Sequence, residues 1–206
     1  MNNIIEKIID FEWNEFQHVK NEGGRASCQD DRRTFEIARK SQFLSWNEGM
    51  LESYMNDLTM SKAEGRNLLA EKYARMMEST APKQYEKLKD KLPEISDEKK
   101  NMIEEIIRIR IRWAEEFSKD YPYISGNGRS IHSYDDSIFG TSIETYLRGE
   151  LATYSENTVK LYLKYVKQLE KEGKNQSRMI MEHTASLYGH NSLEDAEKIL
   201  HKRYDM

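Results

Sequence analysis

The chain has 206 residues, a net charge of -4 and one cysteine. That length suffices for one sizeable core, the charge gives no broad pull toward nucleic acid or an anionic membrane, and a single cysteine cannot form an internal disulfide, so a reducing, cytoplasmic compartment is expected. Apolar residues are 37% and charged residues 33%, with 3 prolines and 10 glycines, the balance of a soluble, helix-rich protein without a stretch apolar enough to span a bilayer.

The opening "MNNIIEKIIDFEWNEF" mixes acidic residues into its apolar run and has no small-residue cleavage site, so it is not expected to be a signal peptide. Ile5, Ile8, Ile9, Phe16 and Val19 recur at helical spacing and predict a first helix over 3–21, stopped by Gly23 and Gly24. A second helix is expected from near Asp30 through "TFEIARKSQFLSW", followed by helical patterning in "GMLESYMNDLTM" and "RNLLAEKYARMME", with a break at Gly65. Pro82 and Pro93 punctuate a short helix, "KQYEKLKDKL". Ser96 can cap the next helix, which runs to about Lys119. Residues 121–140 read as one long irregular loop, a length uncommon without a function. Thr141 with Glu144 reads as a capping box for a helix through Tyr154. Helices near 156–172 and 176–188 follow, and Ser192 with Asp195 caps a last one. No strand pattern appears, so the fold class is all-α.

The chain also repeats itself. "IIEKII" (4–9) resembles "MIEEII" (102–107), and "GRAS" (24–27) resembles "GRSI" (128–131). Residues 36–67 align without a gap to 144–175, pairing Trp46 with Tyr154, Tyr54 with Tyr162 and "EGRN" with "EGKN". "MMESTA" (76–81) resembles "IMEHTA" (180–185), which sets Ser79 against His183. The matches keep one order, 98 to 108 residues apart. The expected architecture is a helical bundle, a single domain over 1–206, built from duplicated halves 1–93 and 94–206 about a pseudo-twofold axis. Two copies are fewer than a solenoid needs.

Several polar residues fall where apolar ones belong. Glu12 lies on the stripe of the first helix, and its counterpart Arg110 lies on the stripe through Ile103, Ile106, Ile107, Trp113 and Phe117. Burying either charge alone is costly, so each needs a partner, Glu12 with Arg110 or each with another charge. Glu150 sits similarly among Ile143, Leu147, Leu151 and Tyr154, and His183 among Met179, Ile180 and Leu187. Such residues either form satisfied ion pairs holding the halves in register or line a polar cavity.

The two loops after the first helix of each half concentrate the remaining chemistry. Gly23, Gly24, Gly126 and Gly128 permit close backbone approach. Arg25 and Arg129 can grip a carboxylate or phosphate in bidentate fashion. The pairs Asp30–Asp31 and Asp135–Asp136 suit helix caps, ion pairs with the arginines, or contact with a ligand or hard cation, with Asp31 and Asp136 the ligand-contact candidates. Cys28 precedes a helix start, which favours the thiolate, and His132 in the second loop could serve it as a base or act alone in proton transfer. No phosphate-loop or dinucleotide motif is present, and no cofactor is indicated. Glu15-x-x-His18 has the spacing of a di-iron bundle motif but lacks the second such pair, so no metal site is expected.

The strings "NEGGRASCQDDRRTFEIARKSQFLSWNE", "EGRNLLAEKYARMMESTAP" and "GNGRSIH…ETYLRGELATYS" resemble a bacterial domain-of-unknown-function family, number 4125 in that series, over nearly the whole chain. The resemblance implies a bacterial, intracellular protein and carries no activity with it. The residues therefore point to a small-molecule enzyme or binding protein with a polar site for an anionic ligand between its halves. Arg25, Arg129, Glu12, Arg110, Asp31 and Asp136 would bind, and His132, Glu150 or Cys28 would act chemically. In the alternative, a non-catalytic helical interaction module, the Gly-Arg/Asp-Asp loops are only a structural clasp.

Overall fold

The computed structural model describes residues 2–20, 24–137 and 140–204. In chain order its helices are α1 Asn2–Gln17, α2 Arg32–Leu44, α3 Glu48–Ala63, α4 Leu68–Thr80, α5 Pro82–Tyr85, α6 Asp97–Asp120, α7 Pro122–Gly126, α8 Ile143–Thr153, α9 Glu156–Lys171, α10 Gln176–Leu187 and α11 Leu193–Tyr204. Single 3-10 turns occur at Ser27–Gln29, Lys89–Lys91 and Ser133–Asp135. Among the described residues there is no strand, only an isolated bridge between Ser137 and Gly140. The protein is an all-α helical bundle.

Side-chain caps satisfy the otherwise orphaned amides at most helix starts. Asp31 accepts from Thr34 N, Asn47 from Met50 N, Asn67 from Ala70 N, Ser96 from Lys99 N, Ser155 from Thr158 N and Asn175 from Arg178 N. The cap of α8 is Ser142, not Thr141, because Glu144 is turned away to accept from Ser133 N. α1 ends at Gln17, short of the expected Asn21, because the buried Gln29 amide takes the carbonyls of Phe16 (2.8 Å) and Val19 (3.1 Å). The segment between Pro82 and Pro93 is not one helix but α5 and a 3-10 turn, since it buries no side chain that would hold a continuous helix. The expected irregular loop contains α7 and the 3-10 turn Ser133–Asp135.

α1 packs on α2, α3 and α4, and α6 packs on α8, α9 and α10. The two sets interlock: α4 lies against α8, α2 against α10, and α3 against α9. One buried cluster runs through both sets, with Ile8, Phe43, Met50 and Leu58 continuing into Ile106, Leu151, Val159 and Val166. Where α3 meets α9, Tyr54 and Tyr154 stand 4.7 Å apart between ring centroids and Trp46 and Tyr162 5.4 Å apart. A smaller cluster of Phe117, Tyr121, Ile124, Ala185, Leu193 and Ala196 seats α7 and α11. α4 and α8 cross so closely that a Cβ on Gly149 would lie 2.9 Å from Met76 Cγ and 3.1 Å from the Lys72 carbonyl oxygen.

Several positions that the sequence comparison pairs make similar bonds. Gly65 (φ 69°) and Gly173 (φ 65°) end α3 and α9 in left-handed turns, closed by Arg66 N to Ser61 O (2.8 Å) and Lys174 N to Leu169 O (2.9 Å). The Asn67 amide also donates to Glu15 O (2.8 Å), as Asn175 does to Trp113 O (2.9 Å). Lys40 pairs with Glu6 (2.5 Å), as Arg148 does with Glu104 (2.8 Å).

Candidate functional site

Glu12 is 1% exposed and projects from α1 into the core. Arg39 of α2 grips it with two bonds, Nε to Oε2 and Nη2 to Oε1, both 2.7 Å. The Tyr54 hydroxyl donates a third, 2.7 Å to Oε1. Arg39 Nη2 also donates to Glu150 Oε1 of α8 (2.8 Å), which accepts from the Tyr154 hydroxyl (2.8 Å) as well. Arg39 Nη1 reaches Gln42 Oε1 (2.8 Å), and the guanidinium lies 4.7 Å from the Phe43 ring centroid. Burial works against the Glu150 carboxylate, but Arg39 and then Lys72 outweigh it and hold the group down at about 2. Burial, then Glu12, pushes the Tyr54 phenol well up, and burial with Glu150 does the same to Tyr154. Glu150 is thus a fixed anion, and it and Glu12, both sealed from solvent, are suited to joining α1, α2, α3 and α8.

Arg110, the counterpart of Glu12, does not meet it. Its Nη1 donates to the Tyr162 hydroxyl (2.5 Å) and to Gln176 Oε1 (2.7 Å), and its Nε is buried without a partner. Arg110 is therefore met by neutral acceptors, where Arg39 is met by carboxylates.

The first loop is closed on itself. Arg25 donates to Asp30 (2.8 Å), Gln17 Oε1 (2.5 Å) and Gln29 O (2.8 Å), leaving its side chain 47% exposed. Asp31 caps α2, and the Thr34 bonds lower its carboxyl below the usual value. Cys28 is exposed. Gly24 takes a left-handed φ of 89°, and Gly23 lies outside the described residues.

The second loop instead reaches across the bundle. Asp136 accepts from Ser79 Oγ of α4 (2.5 Å), Ser142 N (2.6 Å) and Thr145 Oγ1 (2.5 Å). Burial opposes its charge, but these bonds prevail and lower its pKa. His132 pairs with Glu115 of α6 (3.1 Å) and stacks on Tyr134 (4.9 Å), so its ring is engaged away from Cys28. Arg129 donates to Thr141 O (3.0 Å) and lies 4.8 Å from the Tyr146 ring centroid. The Tyr146 hydroxyl accepts from the buried Lys72 Nζ (2.8 Å), which links this loop to the side of α8 carrying Glu150. Among the described residues Arg25 and Arg129 bond to different partners, and His132 pairs with Glu115 rather than with Cys28.

An open cavity lies elsewhere. It has a volume of about 1050 Å³, bounded by α4 on one side and by α6 and α8 on the other. The connector between α4 and α6, including Tyr85, Pro93 and Glu94, also lines it. Its chemistry centres on Arg75 of α4. One guanidinium nitrogen donates to Pro93 O (2.6 Å), while the buried Nε has no partner, and among the described residues Arg75 makes no ion pair with a carboxylate. Burial lowers its pKa, opposed by Glu71. Lys99, bonded to the carbonyls of Ala152 and Tyr154, is drawn down to about 8 by burial and then by Arg75. Ser79, Ser133 and Thr145 add hydroxyls, and Leu92, Ile95 and Ile103 add apolar wall.

Sequence reasoning missed Arg39, Lys72 and Arg75. The signal for the first two was present: Arg39 lies four residues from Phe35 and from Phe43, and Lys72 four from Leu68 and from Met76. Arg75 carries no such mark, since the connector alone makes its surroundings. Among the described residues no group of three or more His, Cys, Asp or Glu side chains is placed to hold a metal, and no helix is long and apolar enough to cross a membrane.

Fold and site together define an all-α bundle with a sealed ionic core and an open polar cavity. The chain belongs to the protein family of unknown function DUF4125, whose model matches residues 2–198. No curated protein and no solved structure matches it.

Proposed function

We propose that this chain is a small-molecule-binding protein whose ligand lies in the cavity between α4 and α6/α8, with an anionic group held by Arg75. The observation that carries the reading is an arginine lining a cavity of about 1050 Å³ with a buried, unpartnered Nε and, among the described residues, no ion pair with a carboxylate. Such a cation gains from an anion the protein does not itself supply. The volume is at the upper end of sites for small ligands. In this reading the Gly-Arg/Asp-Asp loops are a clasp, a role favoured by the bonds of Arg25 to Asp30 and Gln29 of its own loop and to Gln17 at the end of α1.

The ligand would sit between two halves of one domain. The paired bonds of Asn67 and Asn175, Gly65 and Gly173, and Lys40 and Arg148 support descent of those halves from one duplicated segment. The exposed Cys28 thiol fits a reducing, cytoplasmic setting. A thermal-shift panel of carboxylates and phosphates tests the binding reading. Some members should raise Tm in wild type and leave Arg75→Ala unmoved; identical responses in both proteins would sink it.

A further inference from the structure

The charges lining the cavity can be paired off. Arg148 is bound by Glu104 and Glu144, Lys100 by Asp97, and Lys89 by Glu86. That leaves Arg75 without a carboxylate, and among the described residues Glu78 and Glu94 without a cation. The three are neighbours. Glu78 lies three residues beyond Arg75 on α4, on the same helix face, and Glu94 follows Pro93, whose carbonyl accepts the Arg75 bond of 2.6 Å. Arg75, which bonds no carboxylate among the described residues, thus stands near two carboxylates that bond no cation there. Tyr85, Leu92, Ile95 and Ile103 provide apolar wall around them.

We infer that the ligand is a zwitterion of the amino-acid or short-peptide type, its carboxylate on Arg75 and its ammonium group between Glu78 and Glu94. This rests on the ligand-binding reading of the same cavity. A simple anion would answer Arg75 but meet repulsion from both glutamates, whereas a zwitterion answers all three. A volume of about 1050 Å³ leaves room for side chains beyond the charged backbone groups.

The test is a thermal-shift measurement on the full chain with a pooled dipeptide library, the same pool N-acetylated, and the same pool as C-terminal amides, beside succinate and inorganic phosphate. The free dipeptides should raise Tm by several degrees, and either blocked pool should lose that rise. Glu78→Gln with Glu94→Gln, both exposed positions that leave the core untouched, should make the N-acetylated pool as effective as the free one. Arg75→Ala should remove every response, and Arg75→Lys should restore part of it. Should N-acetylated dipeptides, succinate or phosphate match the free pool through Arg75, the zwitterion is wrong while the anion site stands. Should no compound shift either wild type or Arg75→Ala, the site and the zwitterion fall together.

Discussion

Replacing Arg39 with methionine removes the one cation that touches both Glu12 and Glu150. Those carboxylates are 1% and 3% exposed, so neither can recruit water in its place. Breaking a buried pair of this kind typically costs about 3–5 kcal/mol, because the stranded anion keeps its desolvation penalty. Two anions are stranded here, so the upper part of that range is expected, a third or more of a typical total near 5–15 kcal/mol. For a chain of 206 residues that is a Tm loss of roughly 10–15 °C. Urea unfolding at constant m measures it. The triple variant Glu12→Gln, Arg39→Met, Glu150→Gln, with no charge left to strand, should recover to within about 2 kcal/mol of wild type. A cost below about 1 kcal/mol for Arg39→Met alone would refute the reasoning, since the network would then be no ionic clamp.

The same network sets a pH dependence. Glu150 has a folded pKa of about 2 against an ordinary 4.5, so its contribution of roughly 3 kcal/mol is complete above pH 5 and declines as pH falls toward 2. A urea midpoint that stays flat between pH 5 and 3 would contradict this, and the Glu150→Gln variant should lose that part of the acid sensitivity. Gly149→Val should cost about 2–3 kcal/mol through collision with Met76 and the Lys72 carbonyl, read as a lower urea midpoint. Asn67→Ala and Asn175→Ala should each cost about 1–2 kcal/mol and by similar amounts, since each removes a cap and a bond to a distant helix, α1 for Asn67 and α6 for Asn175. Arg25→Ala should cost less than about 1 kcal/mol, because its ion pair with Asp30 is largely exposed.

What could be read in advance follows physical locality. Helix caps, glycine stops and the apolar stripes are local, and Asp31, Ser96, Gly65 and Gly173 acted as their types and spacing imply. Glu12 and Glu150 were visible as charges in apolar stripes, yet their shared partner was not, because Arg39 lies 27 residues from one and 111 from the other. Only the packing of α1, α2 and α8 joins them. Arg25 and Arg129 looked alike as motifs but diverge in space, since one loop folds onto its own helix end and the other spans to α4 and α6. The cavity left no trace in the sequence, because it arises from where the connector runs over α4, α6 and α8 rather than from any residue pattern.

Native mass spectrometry of the full chain, purified without denaturation, tests most directly whether the α4–α6–α8 cavity holds a ligand through Arg75. Wild type should carry an added small mass that is released on denaturation and is missing from Arg75→Ala. A bare polypeptide mass for wild type, together with a Tm that no carboxylate, phosphate or dipeptide shifts, would contradict it.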